Sequence, residues 1–428
     1  MMDNVWFWIY NYLVIPVFYV LLKIASVFNN KIKIALKDRE HLFSQIEKDL
    51  KKLSGEKKIL WFHSSSVGEF EQAKPIIEKI NSEKKFTILA SFLSPSGYNA
   101  AKRYEGADLI TYYPFDSRKN IKHFIDILNP SILIFMRYDI WPNSVFELSK
   151  RKIPVVLVDA TMKKNSPRKI FLVRNFHRFL FDKFERILTI SEEDRKGFIE
   201  IGVNPEKVEV AGDTRYDRVY QKSQTALKQK ILNERIIEGK KIFVAGSTWR
   251  EDEEVLFPAL IKLHKYEQDL ISIIVPHEPS IPTLEQIEFE LNKHLSTIRF
   301  SSLNQYKNEK VIIVDSVGIL LTLYAYANVA FVGGGFKSNI HNVLEPAVYG
   351  IPVLFGPKYS NSQEAYNLIS SRGGFSVNNR TELYSHLRKL FADDNYRLQI
   401  GLNAKNFVQR NIGATEKIVK VLEEILNE

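Results

Sequence analysis

The chain has 428 residues, of which 45% are hydrophobic and 26% are charged, and this composition excludes a disordered chain and indicates more than one globular domain. The absence of cysteine excludes disulfide bonds and thiolate metal sites. A net charge of +10 favours anionic partners such as nucleic acid, acidic lipid or phosphorylated substrates, without selecting one of them.

Residues 5–28 form an apolar run with a single charged residue, Lys23, and the run is long enough to cross a bilayer as a helix. We therefore predict a membrane anchor over residues 1–30, with the rest of the chain on the cytoplasmic side. A buried N-terminal helix is the alternative, and Asn11 and Pro16 leave open whether the anchor spans the membrane or lies in its interface. The prediction also rests on interfacial aromatic residues in the run and on basic residues after it: Trp6, Trp8, Tyr10, Tyr12, Lys31, Lys33, Lys37 and Arg39.

From residue 57 onward, β-rich runs alternate with helical patterns, which is typical of a parallel sheet with helices on both faces. The first series of predicted strands reads ILWFHS, FTILASF, LITYYPF, SILIFM, VVLVDA, RILTIS and KVEVAG. Predicted helices lie near 69–80, 96–104, 117–128, 142–151, 166–182 and 192–201.

A polar helical segment, DRVYQKSQTALKQKILNER, separates this series from a second one. The second series of predicted strands reads KKIFVAGS, LISIIVPH, KVIIVDS, VAFVGGG, PVLFGP and GGFSV. We therefore predict two doubly wound α/β domains, residues 31–220 and 221–428, with a cleft between them. Ligands of such sheets bind beyond the carboxyl ends of the strands, so the loops there are the candidate sites.

The stretch HSSSVGEFEQAKPII, residues 63–77, follows the first predicted strand. Its Ser66 and Glu69 fit the S-x-x-E capping box, in which the two side chains close the first turn of a helix. The alternative is that Glu69 is a catalytic carboxylate at the tip of a strand. Residues 63–77 taken alone favour the interpretation of Glu69 as part of a helix cap.

Gly, Ser, Thr and Asn are frequent at the strand ends, which suits a phosphate, although ordinary loop chemistry explains each loop as well. Residues 333–335 are three glycines after a buried strand, and we expect them to let a ligand approach the backbone. They match neither G-x-G-x-x-G nor a P-loop. Asn342 and Glu345 share one helical face, where a carboxylate can accept both ribose hydroxyls of a nucleotide; an interaction with the helix dipole is the alternative.

Together these stretches resemble the Kdo transferases of lipopolysaccharide synthesis, which transfer 3-deoxy-D-manno-octulosonic acid (Kdo) from CMP-Kdo to a lipid A precursor. The resemblance covers about residues 57 to 415 and includes HSSSVGEFEQAKPII, SPSGYNAAKR, YYPFD, IWPN, ISEEDRKGF, VEVAGDTRYD, VAGSTWREDEE, FVGGGF and HNVLEPAVYGIPVLFGP. It implies a GT-B fold of two Rossmann-like domains, an acceptor domain followed by a CMP-sugar donor domain, and it agrees with an N-terminal anchor.

The resemblance also implies roles for individual residues. It makes Glu69 the general base, which fits an inverting transfer in which one carboxylate takes the proton of the acceptor hydroxyl. It assigns transition-state stabilisation to Asp139 and Arg215, at positions where the family usually has Glu and Lys. A further acidic position of the family falls on Arg137, which reverses its charge.

The family's nucleotide-binding positions match three segments of this chain. His277 stands where the family usually has arginine, and Ile319 stands where it usually has glutamate. The resemblance implies that the donor is bound by Pro276, His277, Glu278, Val317, Gly318, Ile319, Asn342, Val343, Leu344 and Glu345.

The sequence therefore predicts a membrane-anchored, inverting glycosyltransferase that needs no cofactor and no metal, since no Asp-x-Asp motif stands at a strand end. It would transfer Kdo from CMP-Kdo to a tetraacyl lipid A precursor at the cytoplasmic face of the inner membrane, in contact with inner-membrane lipids. The alternatives are another nucleotide-sugar GT-B transferase or epimerase, or a non-catalytic binder of anionic lipid or nucleic acid. We predict no nucleic-acid partner, because the positive charge is spread out and no nucleic-acid motif is present.

Overall fold

A computed structural model of the chain describes residues 2–53 and 57–427, without the side chains of residues 2–4, 31 and 172. The chain separates into two compact α/β units. The first unit comprises Met1–Arg218 and Ile412–Glu428, and the second comprises Val219–Asn411. Each unit holds one parallel seven-stranded sheet, which confirms the predicted class of two doubly wound domains.

The amino-terminal region is helical and lies against the first unit. Its helices are α1 (Met2–Ile9), α2 (Ile15–Phe28), α3 (Asn30–Asp38) and α4 (Leu42–Leu50), with a π-helical turn at Tyr10–Val14 between the first two. Among the described residues, Val5–Phe28 is the one helical stretch long and apolar enough to cross a membrane. The side chain of Lys31, one of the basic residues predicted to flank it, lies outside the described residues.

Polar contacts dock this helical stretch on the first unit. The Tyr10 hydroxyl donates to Asp116 Oδ2 over 2.7 Å. Asn11 and Asn143 exchange two side-chain hydrogen bonds of 3.0 and 2.9 Å. A buried amide and a buried carboxyl need such partners, so these bonds account for the polar Asn11 within an apolar run. The opposite side of the stretch exposes apolar side chains.

The sheet of the first unit has the strand order β3-β2-β1-β4-β5-β6-β7. Helices cover both faces, which explains why the strands read as nearly continuous apolar runs. Every predicted strand of this series overlaps an observed one. The strands are β1 (Ile59–Ser64), β2 (Thr87–Phe92), β3 (Leu109–Tyr112), β4 (Ile132–Met136), β5 (Val155–Ala160), β6 (Arg186–Thr189) and β7 (Val208–Val210).

Serine caps begin several of the connecting helices, since Ser66, Ser94, Ser117 and Ser191 each accept a hydrogen bond from a backbone N–H of the first turn. The helices of this unit are α5 (Val67–Ile80), α6 (Pro95–Ala101), α7 (Arg118–Leu128), α8 (Pro142–Lys150), α9 (Phe171–Phe181) and α10 (Glu192–Glu200), with short 3₁₀ turns at Pro167–Lys169 and Pro205–Lys207. Helix α11 (Thr214–Ala226) runs from the first unit into the second, and α12 (Glu234–Ile237) follows it.

The sheet of the second unit has the order β10-β11-β9-β8-β12-β13-β14, in which β10 is an edge strand outside β11 and the other six strands follow the order of β1 to β6 in the first sheet. That edge strand, Thr297–Arg299, is short and half-buried, and it was not predicted because it lacks an apolar run. The strands are β8 (Lys241–Thr248), β9 (Leu270–Pro276), β10 (Thr297–Arg299), β11 (Val311–Ile313), β12 (Val329–Val332), β13 (Val353–Phe355) and β14 (Gly374–Ser376). The helices are α13 (Arg250–Leu263), α14 (Ile281–Leu291), α15 (Leu320–Tyr324), α16 (Leu344–Ala347), α17 (Gln363–Ser370), α18 (Arg380–Ala392) and α19 (Asp394–Arg410), with a 3₁₀ segment at Phe300–Gln305.

In each sheet the chain crosses from one side of its first strand to the other, so that β1 lies beside β4 in the first unit and β8 lies beside β12 in the second. We call these two places the switch points. Loops that follow the flanking strands diverge there and leave room for a ligand. The residues after these four strands are therefore the ones that the fold places for function.

The carboxyl-terminal helix α20 (Ala414–Asn427) belongs to the first unit, whereas the predicted boundary assigned residues 221–428 to the second domain. Its apolar face packs against α5 and joins the core below β1 and β4. The carboxylate of Asp217 on α11 accepts hydrogen bonds of 2.8 and 3.0 Å from the backbone N–H groups of Gly413 and Thr415. This cap fixes the start of α20, and no local signal in the sequence indicated which sheet the helix covers.

Candidate functional site

Glu69 lies in the first turn of α5, directly after β1, at the switch point of the first unit. Ser66 Oγ accepts a 3.3 Å hydrogen bond from the Glu69 backbone N–H, as a cap predicts. The Glu69 carboxylate does not return to the Ser66 backbone, however. Its Oε2 accepts two 2.7 Å bonds, from the backbone N–H and from the hydroxyl of Ser65. The capping interpretation is therefore partly confirmed, with the partner one residue earlier.

The surroundings of Glu69 hold its carboxylate in one orientation. The side chain is only 5% exposed, and the 14-residue helix α5 directs its positive end at the carboxylate. Among the residues that the structure describes, both hydrogen bonds fall on Oε2 and none on Oε1. One oxygen is thus anchored, and the other is available to accept a proton.

Asp139 follows β4, the strand on the other side of the same switch point. Its Oδ2 lies 3.2 Å from His63 Nε2 and accepts a 3.3 Å bond from the indole N–H of Trp141. His63 is fully buried in β1, and its Nδ1 lies 2.9 Å from Ser91 Oγ on β2. Ser91, His63 and Asp139 therefore form a polar chain across three adjacent strands.

The sequence analysis did not single out His63. The available signal was an imidazole at the end of an otherwise apolar strand, since a buried histidine needs hydrogen-bond partners. Its partners lie 28 and 76 residues away along the chain. Only the pairing of β1 with β2 and β4 brings them together.

Arg215 stands at the start of α11, beyond the end of β7. Its guanidinium makes a paired contact with Asp213, with Nε 3.0 Å from each carboxylate oxygen. The side chain remains about one third exposed. The predicted cation is present, but a neighbouring carboxylate balances its charge.

Two further acidic residues, Asp159 and Asp213, were missed by the sequence analysis. Asp159 is buried in β5 and accepts bonds from the backbone N–H of Thr214, over 3.2 Å, and from its hydroxyl. Burial raises the pKa of the Asp159 carboxyl, and the charge of Asp213 raises it further, whereas the Thr214 hydrogen bonds and the Arg137 charge oppose the increase. Arg137 is therefore a counter-charge for a buried carboxyl, which gives a physical reason for a cation at this position.

The glycine loop after β12 lies at the switch point of the second unit, but its three glycines serve the protein's own packing. A Cβ on Gly333 would lie 2.2 Å from the Ser247 carbonyl oxygen. Gly334 has a φ of +91°, and a Cβ there would lie 2.2 Å from the Asn339 carbonyl oxygen. The structure thus gives a packing reason for these glycines, and the expected close approach of a ligand stays a prediction.

A buried carboxylate holds this loop. Asp252 Oδ2 accepts bonds from the backbone N–H groups of Gly334 (2.7 Å) and Trp249 (3.0 Å), and its Oδ1 accepts one from Phe336 (3.1 Å). Burial raises the pKa of Asp252, and the three backbone bonds oppose the increase. The loop is therefore a rigid frame for the side chains around it.

Three rings stack beside this frame. The His277 ring stacks on the rings of both Trp249 and His341, with a centroid distance of 4.5 Å to each. The Trp249 indole N–H donates to His341 Nε2 over 3.0 Å, and Lys337 Nζ lies over the Trp249 ring. Burial, together with the charge of the neighbouring His277, lowers the pKa of His341 to about 4. The predicted donor residue His277 is thus part of a stack, and its partners Trp249 and His341 were not predicted as site residues.

Asn342 and Glu345 are brought together as predicted. Asn342 Nδ2 donates to Glu345 Oε1 over 3.3 Å, and its Oδ1 accepts from the Leu344 backbone N–H over 3.1 Å. Burial raises the pKa of Glu345, while Lys222 and the Asn342 amide oppose the increase. Glu345 stands in the four-residue helix α16, so a nearby cation and an amide orient its carboxylate more than a helix dipole does.

The other residues predicted to bind the donor differ in how far they are exposed. Val343 and Leu344 are buried in the core, so a ligand could meet only their backbone. Pro276 ends β9, and Glu278 is exposed in the loop beyond it. Val317–Ile319 forms the turn before α15, in which Val317 is exposed and Gly318 has a φ of +86°. Over residues 2–53 and 57–427, no group of three or more His, Asp or Glu side chains is placed to hold a metal ion.

Comparison with known proteins finds sequence relatives of this chain. Residues 37–218 match the family model of the 3-deoxy-D-manno-octulosonic-acid transferases. Over 325 residues the chain is 29% identical to a 3-deoxy-D-manno-octulosonic acid transferase of Chlamydophila psittaci, an alignment that covers 74% of this chain and 73% of that protein. The predicted resemblance to the Kdo transferases is confirmed.

A second relative is longer than this chain. Over 394 residues the chain is 28% identical to a bifunctional glycosyltransferase/methyltransferase of Fusobacterium nucleatum. That alignment covers 90% of this chain but 59% of the Fusobacterium protein, so the chain spans less than two thirds of its length.

Solved structures share the fold at low sequence identity. The UDP-GlcNAc 2-epimerase from Neisseria meningitidis, solved with UDP-GlcNAc bound, matches with a TM-score of 0.61 and 14% identity, covering 86% of this chain and 100% of that one. This likeness confirms the predicted GT-B fold and concerns the fold alone.

Proposed function

We propose that this chain, a relative of the Kdo transferases, is an inverting glycosyltransferase that moves Kdo from CMP-Kdo to a hydroxyl of a lipid A precursor. The observation that carries the proposal is the Glu69 carboxylate, buried at the switch point, with Oε2 anchored by Ser65 and Oε1 left for a substrate. The sequence relationship to Kdo transferases supports Kdo transfer over other reactions that the same fold carries out.

In the proposed step, the oxygen of the acceptor hydroxyl attacks the anomeric carbon of Kdo, and Glu69 Oε1 takes the proton of that hydroxyl. The bond between that carbon and the phosphate oxygen of CMP breaks on the opposite face, and CMP leaves with the electron pair. The configuration at the anomeric carbon is thereby inverted. A positioned general base typically accelerates such a step by roughly 10²- to 10⁴-fold.

Two charged side chains complement the base. Asp139, held by His63 and Trp141, is suited to stabilise the positive charge that develops on the sugar. Arg215 is suited to stabilise the negative charge of the departing phosphate, provided that its contact with Asp213 opens or is shared. Preorganised charges of this kind are often the largest contribution to catalysis.

The second unit is proposed to bind the donor. The Glu345 carboxylate, oriented by Asn342, is suited to accept hydrogen bonds from both ribose hydroxyls of cytidine. His277, Trp249 and His341 offer aromatic faces and imidazole nitrogens next to the glycine loop. We propose that this stack takes the place of the arginine that the family usually carries at position 277.

We propose further that the transfer needs neither metal nor cofactor, because basic groups and helix N-termini are the expected counter-charges of the leaving phosphate. Addition of EDTA should then leave the rate of transfer unchanged. A loss of activity that Mg²⁺ or Mn²⁺ restores would contradict this part of the proposal.

The decisive experiment incubates the purified chain with CMP-Kdo and a tetraacyl disaccharide lipid and determines the product by mass spectrometry. The proposal expects a product heavier by one or more Kdo residues, with release of CMP. Conversion of UDP-GlcNAc instead would favour the nucleotide-sugar epimerase alternative. Salt-sensitive binding of nucleic acid without turnover of CMP-Kdo would favour a non-catalytic binder.

The enzyme is proposed to act at the cytoplasmic face of the inner membrane, on the basis of the apolar stretch Val5–Phe28. Deletion of residues 1–30 should release the chain from membranes. Because Tyr10 and Asn11 bond to the first unit, the truncated chain should also melt at a lower temperature. Retention of the truncated chain in the membrane fraction would place the attachment elsewhere.

A further inference from the structure

An apolar groove of about 400 Å³ lies in the first unit, next to the proposed acceptor site. Its walls come from the amino-terminal helices and from the loops after β2 and β3. The side chains that define it are Phe18, Leu22, Leu36, Pro95, Phe115 and Trp141. A volume of this size is typical of small-ligand pockets, which are roughly 300–1,000 Å³.

Most polar groups that border the groove are already engaged by the protein; Asp116 Oδ2 is bonded by Tyr10 and Asn143, and its buried Oδ1 is without a hydrogen-bond partner among the described residues. The Arg39 guanidinium donates to the backbone carbonyl oxygens of Tyr113, Leu93 and Ala35, over 2.9, 2.7 and 2.6 Å. Ser94 Oγ accepts from the Gly97 N–H as the cap of α6. These groups offer little to a phosphate or a nucleotide, whereas apolar walls bind hydrocarbon.

The groove continues onto an exposed hydrocarbon surface. Phe18 and Leu22 of α2 line it, and on the same helix Val17, Val20, Leu21 and Ile24 are at least half exposed. A chain that lies along this surface can therefore enter the groove without crossing a polar barrier. At the other wall, the Trp141 indole donates to Asp139, one of the proposed catalytic residues.

We propose that the groove binds one fatty-acyl chain of the glycolipid acceptor. This inference rests on the proposed function, because it identifies the lipid part of the same acceptor. The groove runs from the exposed apolar face of α2 to Trp141, whose indole donates to Asp139, one of the two carboxylates at the first switch point. Seating an acyl chain there positions the sugar headgroup for attack and selects acylated over unacylated acceptors.

A binding experiment tests the groove without any transfer. Bromine atoms on an acyl chain quench tryptophan fluorescence by contact, so the probe is a tetraacyl disaccharide with brominated chains, offered in detergent micelles. The quenched signal is compared between the wild-type chain and Trp141→Phe, because Trp6 and Trp8 also lie in the apolar region. The proposal expects a quenched component that is present in the wild type and lost in the variant.

Brominated phosphatidylcholine in the same micelles is the second probe. Quenching of Trp141 by the disaccharide lipid alone supports an acceptor subsite. Equal quenching by both lipids would overturn the assignment to the acceptor and indicate a general lipid groove. Absence of Trp141 quenching with either probe would overturn the proposal altogether. All three outcomes are independent of whether Kdo is transferred.

A steric variant tests the consequence for catalysis. Ala35 lines the groove, so Ala35→Trp should fill it, whereas Ile34→Trp changes a neighbouring exposed residue of α3 that does not line it. Each methylene displaced from an apolar site costs about fourfold in affinity. Ala35→Trp should therefore raise the KM for the tetraacyl acceptor at least about tenfold, with the KM for CMP-Kdo and for an acceptor with six-carbon chains unchanged.

Ile34→Trp should leave all three constants near those of the wild type. If Ala35→Trp does not fold, Ser96→Trp places the ring at the exposed edge of the same groove. A filled groove with an unchanged KM for the tetraacyl acceptor would overturn the inference. Failure of the proposed function itself would appear differently, as an absence of transfer in the wild type with both acceptors.

Discussion

The first unit places carboxylates after the two strands that flank its switch point, Glu69 after β1 and Asp139 after β4. The second unit has a corresponding switch point, yet β8 is followed by Trp249 and β12 by a glycine loop. The side chains gathered there are an indole and two imidazoles, with a buried Asp252 bonded to backbone N–H groups. The topology sets where a ligand can lie, and the loop residues decide whether the place suits proton transfer or the binding of a planar, anionic molecule. The comparison therefore predicts that substitutions at the first switch point lower turnover, whereas substitutions at the second weaken nucleotide binding.

The sharpest way to break this comparison is Glu69→Gln. Glutamine can keep the bonds from Ser65 but cannot accept a proton at neutral pH. We expect normal folding, a normal dissociation constant for CMP, and a kcat lower by roughly 10²- to 10⁴-fold. The loss should appear equally in kcat/KM, because a base needed only in the chemical step stabilises only the transition state.

Glu71→Gln is the matched control on the same helix, since Glu71 is partly exposed and pairs with Lys74 and Arg218 instead of facing the switch point. It should change turnover little. If product release limits the wild type, single-turnover rates will show the full effect of Glu69→Gln. A folded Glu69→Gln variant that transfers Kdo within a few-fold of the wild type would end the catalytic assignment.

Asp139→Asn tests the second carboxylate of the first unit. The change keeps the size of the side chain but removes the charge that faces His63 and Trp141. A charge-assisted hydrogen bond is worth about 1.5–3 kcal/mol, so kcat/KM for the acceptor should fall roughly 10- to 100-fold. CMP affinity, measured by calorimetry, should not change.

The hydrogen-bonded chain Ser91–His63–Asp139 provides the control for this variant. Ser91→Ala removes the outer partner of His63 and leaves Asp139 in place, so its effect on turnover should be smaller. An equal loss in both variants would mean that the chain supports the fold of the strand ends and not the reaction.

Glu345→Ala tests the second unit, where the comparison expects affinity to respond. Loss of hydrogen bonds to the ribose should raise the CMP dissociation constant about 10- to 100-fold, from the same range of 1.5–3 kcal/mol. Glu345→Gln keeps the contact with Asn342 and should bind CMP with intermediate affinity. An unchanged CMP dissociation constant in Glu345→Ala would rule out the ribose role and, with it, the division between the two units.

The smallest effects should appear in the pH dependence of unfolding. Burial lowers the pKa of His264 in the second unit to about 4, where its Nε2 lies 2.9 Å from Ser272 Oγ. Unfolded histidine has a pKa near 6.5, so the unfolded state binds the proton first as the pH falls. The stability that His264 contributes is present above about pH 6.5 and is lost between about pH 6.5 and 4.

Burial has the opposite effect on Asp116 in the first unit, because it raises that pKa to about 7. The folded state then binds the proton first, and the contribution of Asp116 is present at low pH and lost as the pH rises toward about 7. His264→Gln should therefore flatten the decrease in Tm on acidification, and Asp116→Asn should steepen it. Each variant is compared with the wild type at pH 7, 5.5 and 4. The comparison is needed because burial raises the pKa of Glu253 to about 7, so Glu253 also contributes to the pH dependence of Tm.

Local patterns predicted most of the fold. β1 and β5 begin and end where the apolar runs ILWFHS and VVLVDA do, since such a run between polar turns can pair only as a buried strand. Glu69 could be found because it forms a local S-x-x-E motif with Ser66. The contact of His63 with Asp139, the stack around His277 and the packing of α20 could not, because each depends on elements far apart in the chain. The glycine loop shows the limit in another way: its residues were recognised from the sequence, but their packing against the backbone of Ser247 and Asn339 was not predicted.

The placement of α20 has a consequence for how the protein is made. Because residues 412–428 complete the core of the first unit, the second unit is an insertion between two parts of the first. On the ribosome, residues 219–411 are synthesised in full before the last helix of the first unit emerges, so the second unit can fold during translation while the first unit waits. Throughout that interval the apolar stretch Val5–Phe28 is already outside the ribosome. Early capture of this stretch by the membrane would keep the unfinished core of the first unit from aggregating with other chains.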